Sequence, residues 1–472
     1  MKRKLSAIVL LLCAASLSAV KLPALIGDNM ILQQQTQVRL WGTASPKAEV
    51  RVTPSWSGET LTCRAGKDGK WLLLVKTPAA GYTPYEITFD DGEKTTVKNV
   101  LVGEVWLASG QSNMEMPLKG FGGCCVMDGA DDIIAAADNK GVRMFTLPRT
   151  QTYEPQEDCE GRWDVASIET APDFSATAYH FATSLSRALR IPVGIIHSSY
   201  GGSIVESWIS RELLEHYSDI CLDKDSIERT YHMHRPMLMY NGMLKPLQNY
   251  TIKGFIWYQG ESNVGRHETY ARRLADMVEL WRREWGLGEL PFYYVELAPY
   301  AYSGTQEGKG AYLREAQYRA QSLIPNSAMV STNDLAEPYE RYNIHPRNKT
   351  KVGRRLSYLA LNLTYGLKQI ACFGPQYKSW TAKGNEAWIS FSHLEMGICR
   401  NYDLRGFELA GEDRVFYPAD NVWLHWQTNE VVASSAKVPR PVAVRYCFRD
   451  FQAGTMIGGN ELPTVPFRTD DW

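Results

Sequence analysis

EVWLASGQSNMEMP, residues 104–117, begins as an apolar run and stops short. Val105-Trp106-Leu107-Ala108 has the character of a buried strand, and Ser109-Gly110 ends it. Three polar residues follow at once, Gln111-Ser112-Asn113. A turn would account for a glycine followed by polar side chains. A nucleophile held at the tip of a strand, its hydroxyl exposed at the start of a helix, would account for it equally. The surrounding chain decides between the two.

Downstream of this stretch, strand and helix alternate. FATSLSRALR (181–190) reads as a helix and IPVGIIHSSY (191–200) as a strand running into Gly201-Gly202-Ser203. TIKGFIWYQGESN (251–263) is a second strand entering a glycine loop. ETYARRLADMVELWRREWG (268–286) has helical spacing and a terminal glycine. LPFYYVELAPY (290–300), REAQYRAQSLI (314–324) and SAMVSTNDL (327–335) continue as strand, helix and strand. Alternation of this kind predicts an α/β domain over 104–370, a parallel sheet with helices on both faces. Residues 20–103 carry short strands broken by turns, with hairpin-type signals at Asp68-Gly69 and Asp91-Gly92, and read as a β-sandwich. From 371 to 472 the helical period disappears, and EAWISFSH, LRGFELAG, VWLHWQTN and AVRYCFRD predict a β-rich, sandwich-like domain.

Composition narrows the classes of function. With 51 basic and 52 acidic residues the formal net charge is −1, which gives no reason to expect nucleic acid as a partner. Fourteen Trp and 25 Tyr suit packing against sugar faces as well as β-rich cores. Lys2-Arg3-Lys4, the apolar run Leu5–Leu17 and the small residues up to Ala19 have the order of a signal peptide over 1–19, predicting a secreted or periplasmic protein. Leu12 before Cys13 does not fit a lipid-attachment site, and no other segment has the length and apolarity of a transmembrane helix. Eight cysteines remain after residue 19, without a CxxC pair. A disulfide framework is not indicated, and Cys124-Cys125 lacks the histidines of a metal site. The oligomeric state is not legible.

In a parallel sheet the loops at the carboxyl ends of the strands form the ligand crevice. Four such loops carry unusual polar sets: GQSN (110–113), SSYGGS (198–203), QGESN (259–263) and NIHPRNK (343–349). A serine hydroxyl needs a base, and His345 supplies one. Gly201 and Gly202 allow backbone N–H groups close to a substrate oxygen, and Gln259 and Asn263 each carry a side-chain amide that could join them. Each loop alone is ordinary. Together they contain what acyl transfer requires.

LASGQSNMEMP, SSYGGSIVESW, FIWYQGESNV and IHPRNK resemble the blocks of the sialate O-acetylesterase family, in the SGNH hydrolase superfamily. MYNGMLKPL (239–247), YLREAQ (312–317) and LPTVPFRTDDW (462–472) extend the resemblance over nearly all the chain beyond the signal segment. It implies a serine esterase that removes O-acetyl groups from sugars without metal or organic cofactor. O-acetylated sialic acid is the implied substrate, with acetylated xylan or another polysaccharide as the alternative. A non-enzymatic sugar-binding protein is the remaining reading. The resemblance makes Ser112 the nucleophile and His345 the base. The oxyanion hole would then draw on the Ser112 amide, Gly201 or Gly202, and Gln259 or Asn263, with Gln259 favoured as nearer the strand end.

One position departs from the superfamily pattern. An aspartate commonly stands three residues before the histidine, and here that residue is Tyr342. Asp334 is the first expectation for the group that orients His345, with Glu337, Glu340 and a backbone carbonyl as the others.

Overall fold

A computed structural model describes residues 19–302 and 308–472. Apart from Ala19, the signal segment expected over 1–19 lies outside the described residues. The centre of the molecule is a sheet in the order Ser327–Val330, Phe292–Val295, Gly254–Tyr258, Lys94–Gly110, Val193–Ser199, Val142–Thr146, Trp163–Val165. Its pairings are parallel except the last, between Val142–Thr146 and Trp163–Val165.

Side chains in the central strands alternate between two apolar layers, as the strand period of two requires. Val105 and Leu107 join Phe255, Trp257, Phe292 and Tyr294 under the helices His267–Trp285 and Lys309–Ala320. Trp106 and Ala108 join Ile256, Tyr258, Tyr293 and Val295 under the helices Ala176–Leu189 and Lys349–Leu359. Covered on both faces, these strands read as continuous apolar runs. Each large side chain so buried stabilises the fold by about 1.5–3 kcal/mol. The helix predicted at 268–286 ends where expected, with Gly286 in the left-handed region at φ 61°.

The strand Lys94–Gly110 is 17 residues long. Its first half pairs with Gly81–Asp90 and Ile31–Gln33 in the N-terminal β layer, and its second half is the middle of the central sheet. The boundary expected at 103/104 therefore falls inside one continuous strand. Asp91-Gly92 makes the expected hairpin, with Asp90 opposite Lys94. Asp68-Gly69 does not. The strands beside it, Leu61–Arg64 and Lys70–Lys76, pair with Glu49–Pro54 and Gln37–Thr43 instead, because the turn sends the chain across to the other layer.

Beyond residue 370 two four-stranded antiparallel sheets enclose a separate core that includes Ile389, Phe391, Leu409, Val431, Val444 and Tyr446. Among the described residues no helix is long and apolar enough to cross a membrane, and the eight cysteines are all free thiols.

Candidate active site

Register places the loops. Gly110 stands opposite both Ser199 and Tyr258, so the three central strands end level with one another. The polar segments that follow them, at 111–113, 200–203 and 259–263, emerge side by side. Gly110 has φ +141°, and a Cβ there would lie 2.1 Å from the Tyr258 carbonyl oxygen. Only glycine lets the strand turn this close to its neighbour. The chain then enters a short helix, Ser112–Glu115, whose first turn closes on the Gln111 carbonyl. Ser112 is half-buried at its start. Among the described residues neither its hydroxyl nor its amide N–H has a hydrogen-bond partner, as expected for the orphan donors of a helix N-terminus.

Gly201 sits against this serine: a side chain at Gly201 would reach to 3.5 Å from the Ser112 Cβ. Its N–H is already committed, donating to Glu115 Oε2 at 2.9 Å. Arg149 clamps the same carboxylate with two bonds of 2.6 Å and lies over the Tyr200 ring. Gly202 is different. It adopts φ +77°, and its N–H has no partner among the described residues. Of the two glycines expected to offer a donor, Gly202 has the free one.

The third block is tied inward. Gln259 is fully buried, and its side-chain N–H groups go to the Ser203 carbonyl at 3.0 Å and Asn263 Oδ1 at 2.8 Å. Its own Oε1 accepts from the Tyr270 hydroxyl. Both amide hydrogens are thus spent on holding the loop, contrary to the preference for Gln259 as an oxyanion donor. Asn263 gives one amide hydrogen to Glu206 at 3.0 Å, and the second has no partner among the described residues. Glu206 is itself held by the buried Arg273.

The His345 loop reaches the serine through Asn113. This residue is completely buried, and its Nδ2 donates to Glu261 Oε1 at 2.5 Å and to the Ile344 carbonyl at 2.9 Å. Its Oδ1 accepts from the buried Lys349. One side chain therefore links the residue after the serine to the residue before the histidine. The His345 backbone N–H donates to Asn343 Oδ1 at 3.0 Å. The imidazole meets Phe121 edge to face, ring centroids 5.3 Å apart. Burial, aided by the charge of Lys349, pushes the His345 pKa down to about 4. The imidazole is consequently neutral at pH 7, the form a general base requires. Burial also pushes Lys349 down to about 7 and Glu261 upward.

Asp334 does not stand free to orient His345. Both of its carboxylate oxygens accept from Arg355, at 2.7 Å each, and both side chains are buried. Glu340 is equally engaged, accepting from the backbone N–H groups of Glu337 and Arg347. Glu337 is exposed. Sequence reasoning missed Asn113, Glu115, Arg149 and Lys349. The signals available were an asparagine directly after the serine, and a lysine four residues after the histidine at the start of an unrecognised helix.

Residues 102–362 match the family described as carbohydrate esterase, sialic acid-specific acetylesterase. The chain is 26% identical to the sialate O-acetylesterase of Mus musculus, over 94% of this chain and 93% of that one. It is 28% identical to that of Rattus norvegicus over 82% and 81%. The crystal structure of a novel carbohydrate acetylesterase from Xanthomonas citri superposes with a TM-score of 0.85 at 32% identity, covering 96% of this chain and 100% of that one. The match to more than half of the chain, with the solved relative at full length, shows that this protein belongs to the sialic acid-specific acetylesterase family of carbohydrate esterases, carboxylic ester hydrolases that deacetylate sugars.

Proposed function

We propose that the protein removes O-acetyl groups from sialic acid through an acetyl-enzyme on Ser112. The observation that carries this reading is the level ending of three strands, which gathers Ser112, the free N–H of Gly202 and the Asn113-tethered His345 loop at one edge of the sheet. In the proposed reaction His345 takes the hydroxyl proton as Ser112 Oγ attacks the acetyl carbonyl. The amides of Ser112 and Gly202, with the remaining side-chain N–H of Asn263, stabilise the oxyanion. The sugar alkoxide leaves with the proton from His345. Water, deprotonated by the same imidazole, then releases acetate.

A Ser112–His345 dyad suffices in this reading. Phe121 packing and the Asn343 bond to the His345 backbone set the ring's orientation, while Asp334 and Glu340 hold the surrounding loop. The catalytic unit centres on residues 104–370, with a β-rich unit at 371–472 after it and the β layer of 20–103 before it, to which it is joined by the shared strand Lys94–Gly110. Relatives named sialate O-acetylesterase support the choice of sugar, and the signal-like segment at residues 1–19 supports action outside the cytoplasm. The test is acetate release from O-acetylated sialic acid set beside acetylated xylan, at equal ester concentration. Faster turnover of xylan would overturn the choice of sugar and leave the chemistry standing.

A further inference from the structure

The C-terminal β domain contains a cleft of about 890 Å³ that has no part in the reaction described above. It opens between the domain's two sheets and is lined by residues from 398–408, 418–426 and 449–452. None of the loops bearing Ser112, Gly202, Asn263 or His345 contributes to it.

Two aromatic side chains stand open at this cleft: Tyr402 and Trp426, with 53% and 67% of their surface exposed. Aromatic rings of this size ordinarily bury most of their area, and exposing two at one concave site leaves binding energy unused. The cleft also holds buried polar chemistry. Glu408 is 3% exposed and gripped by Arg449 through bonds of 3.0 and 3.1 Å. The Oε1 atom of Gln452 is buried with no hydrogen-bond partner. An unmet buried acceptor costs free energy until a donor reaches it.

We propose that this cleft is a second carbohydrate-binding site, which holds a stretch of glycan while the catalytic edge removes its acetyl groups. A pyranose presents an apolar C–H face and a rim of hydroxyls, and this pairing matches rings beside a carboxylate, a guanidinium and an unpaired amide oxygen. Arg400, Arg405 and Arg449 in the lining are matched by Asp403, Glu408 and Asp420, so the cleft lacks the cationic surplus that a nucleic acid or phosphate-rich ligand needs. Its open shape accepts a chain rather than a single enclosed sugar. The inference goes beyond the esterase reading, since a protein without turnover would still bind at this place.

The test is calorimetric titration of the intact protein with two unesterified probes, xylohexaose and an α2,8-linked hexamer of sialic acid. At least one should bind saturably, and Tyr402→Ala and Trp426→Ala should each weaken it by about tenfold or more, as truncating an aromatic anchor does. Both variants should hydrolyse p-nitrophenyl acetate at the unaltered rate. Trp426 is so exposed that its removal leaves the core intact, and thermal unfolding of both variants checks this. Absence of saturable binding by either hexamer at millimolar concentration would overturn the proposal. So would binding that survives both substitutions, which would place the sugar at the catalytic edge.

Discussion

Asp334 and Arg355 form a buried, two-pronged ion pair, each carboxylate oxygen 2.7 Å from a guanidinium nitrogen. Arg355 also donates to the Ser331 carbonyl at 2.8 Å, so the pair pins the end of strand Ser327–Val330 to the helix Lys349–Leu359. This role is structural, and it predicts how the aspartate responds to substitution. Asp334→Asn leaves a buried guanidinium without its counter-charge, a loss of about 3–5 kcal/mol. Thermal unfolding should show a large drop. Turnover of the folded fraction should stay within about tenfold, whereas loss of a true triad aspartate costs a serine protease about 10⁴. An unchanged melting temperature with turnover down by that larger factor would restore Asp334 as the orienting group.

Ser112→Ala should do the reverse. The hydroxyl has no partner among the described residues, so its removal breaks no bond and stability should be unchanged. Turnover should fall by about 10⁵–10⁶, the scale seen when a serine nucleophile is deleted. Mass spectrometry after a serine-directed organophosphonate should find a single adduct on the 104–117 stretch. Full labelling with retained activity would dismiss Ser112.

Much of this site is legible in the sequence alone. Three of the four loops, at 110–113, 198–203 and 259–263, stand out because each follows an apolar run, and strand ends are where a parallel sheet gathers chemistry. Which donors are already spent is not legible. Gly201 loses its N–H to Glu115 and Gln259 one amide hydrogen to Ser203, partners that arrive from elsewhere in the fold, while Gln259 spends its other amide hydrogen on Asn263 in its own loop. The helix Lys349–Leu359 is hidden because its buried face includes Lys349, Gly353, Arg355 and Ser357, which blur the apolar period. Gly353 is there for close packing: a Cβ would meet the Thr177 carbonyl oxygen at 2.4 Å.

Asn113 offers a sharper test of how the two catalytic loops are joined. Asn113→Ala would remove the donor to the Ile344 carbonyl and leave Glu261 and Lys349 buried without their shared partner. Unsatisfied buried groups of this kind cost about 1–3 kcal/mol, more when charged. Urea denaturation should show that loss. In the folded fraction kcat should fall while KM for a small acetyl ester changes little, because the defect lies in the relation of Ser112 to His345. A change confined to KM would mean that Asn113 shapes the substrate pocket instead.

A buried and a half-buried histidine make the protein respond to acid in the same direction. His345 and His197 are both pushed down to about 4, His345 by burial and the charge of Lys349, His197 by burial alone. His197 lies within the central sheet with neither ring nitrogen hydrogen-bonded among the described residues. In the unfolded chain both would titrate near the ordinary value of about 6.5. Between that value and about 4 the unfolded state binds more protons than the folded one, so stability falls as the pH drops through this window. Above it both states are neutral and nothing is lost. Activity should follow His345 alone. The acid limb of kcat/KM should lie near pH 4 rather than 6.5, since the free base persists to that point. Lys349 is pushed down only to about 7, so it carries its charge throughout the range in which His345 titrates. Lys349→Met removes that repulsion and should move the acid limb upward. His197→Gln should leave the limb where it is and alter only the pH dependence of unfolding. A limb near 6.5 in the unaltered protein, unmoved by Lys349→Met, would show that His345 is not the group whose protonation stops the reaction.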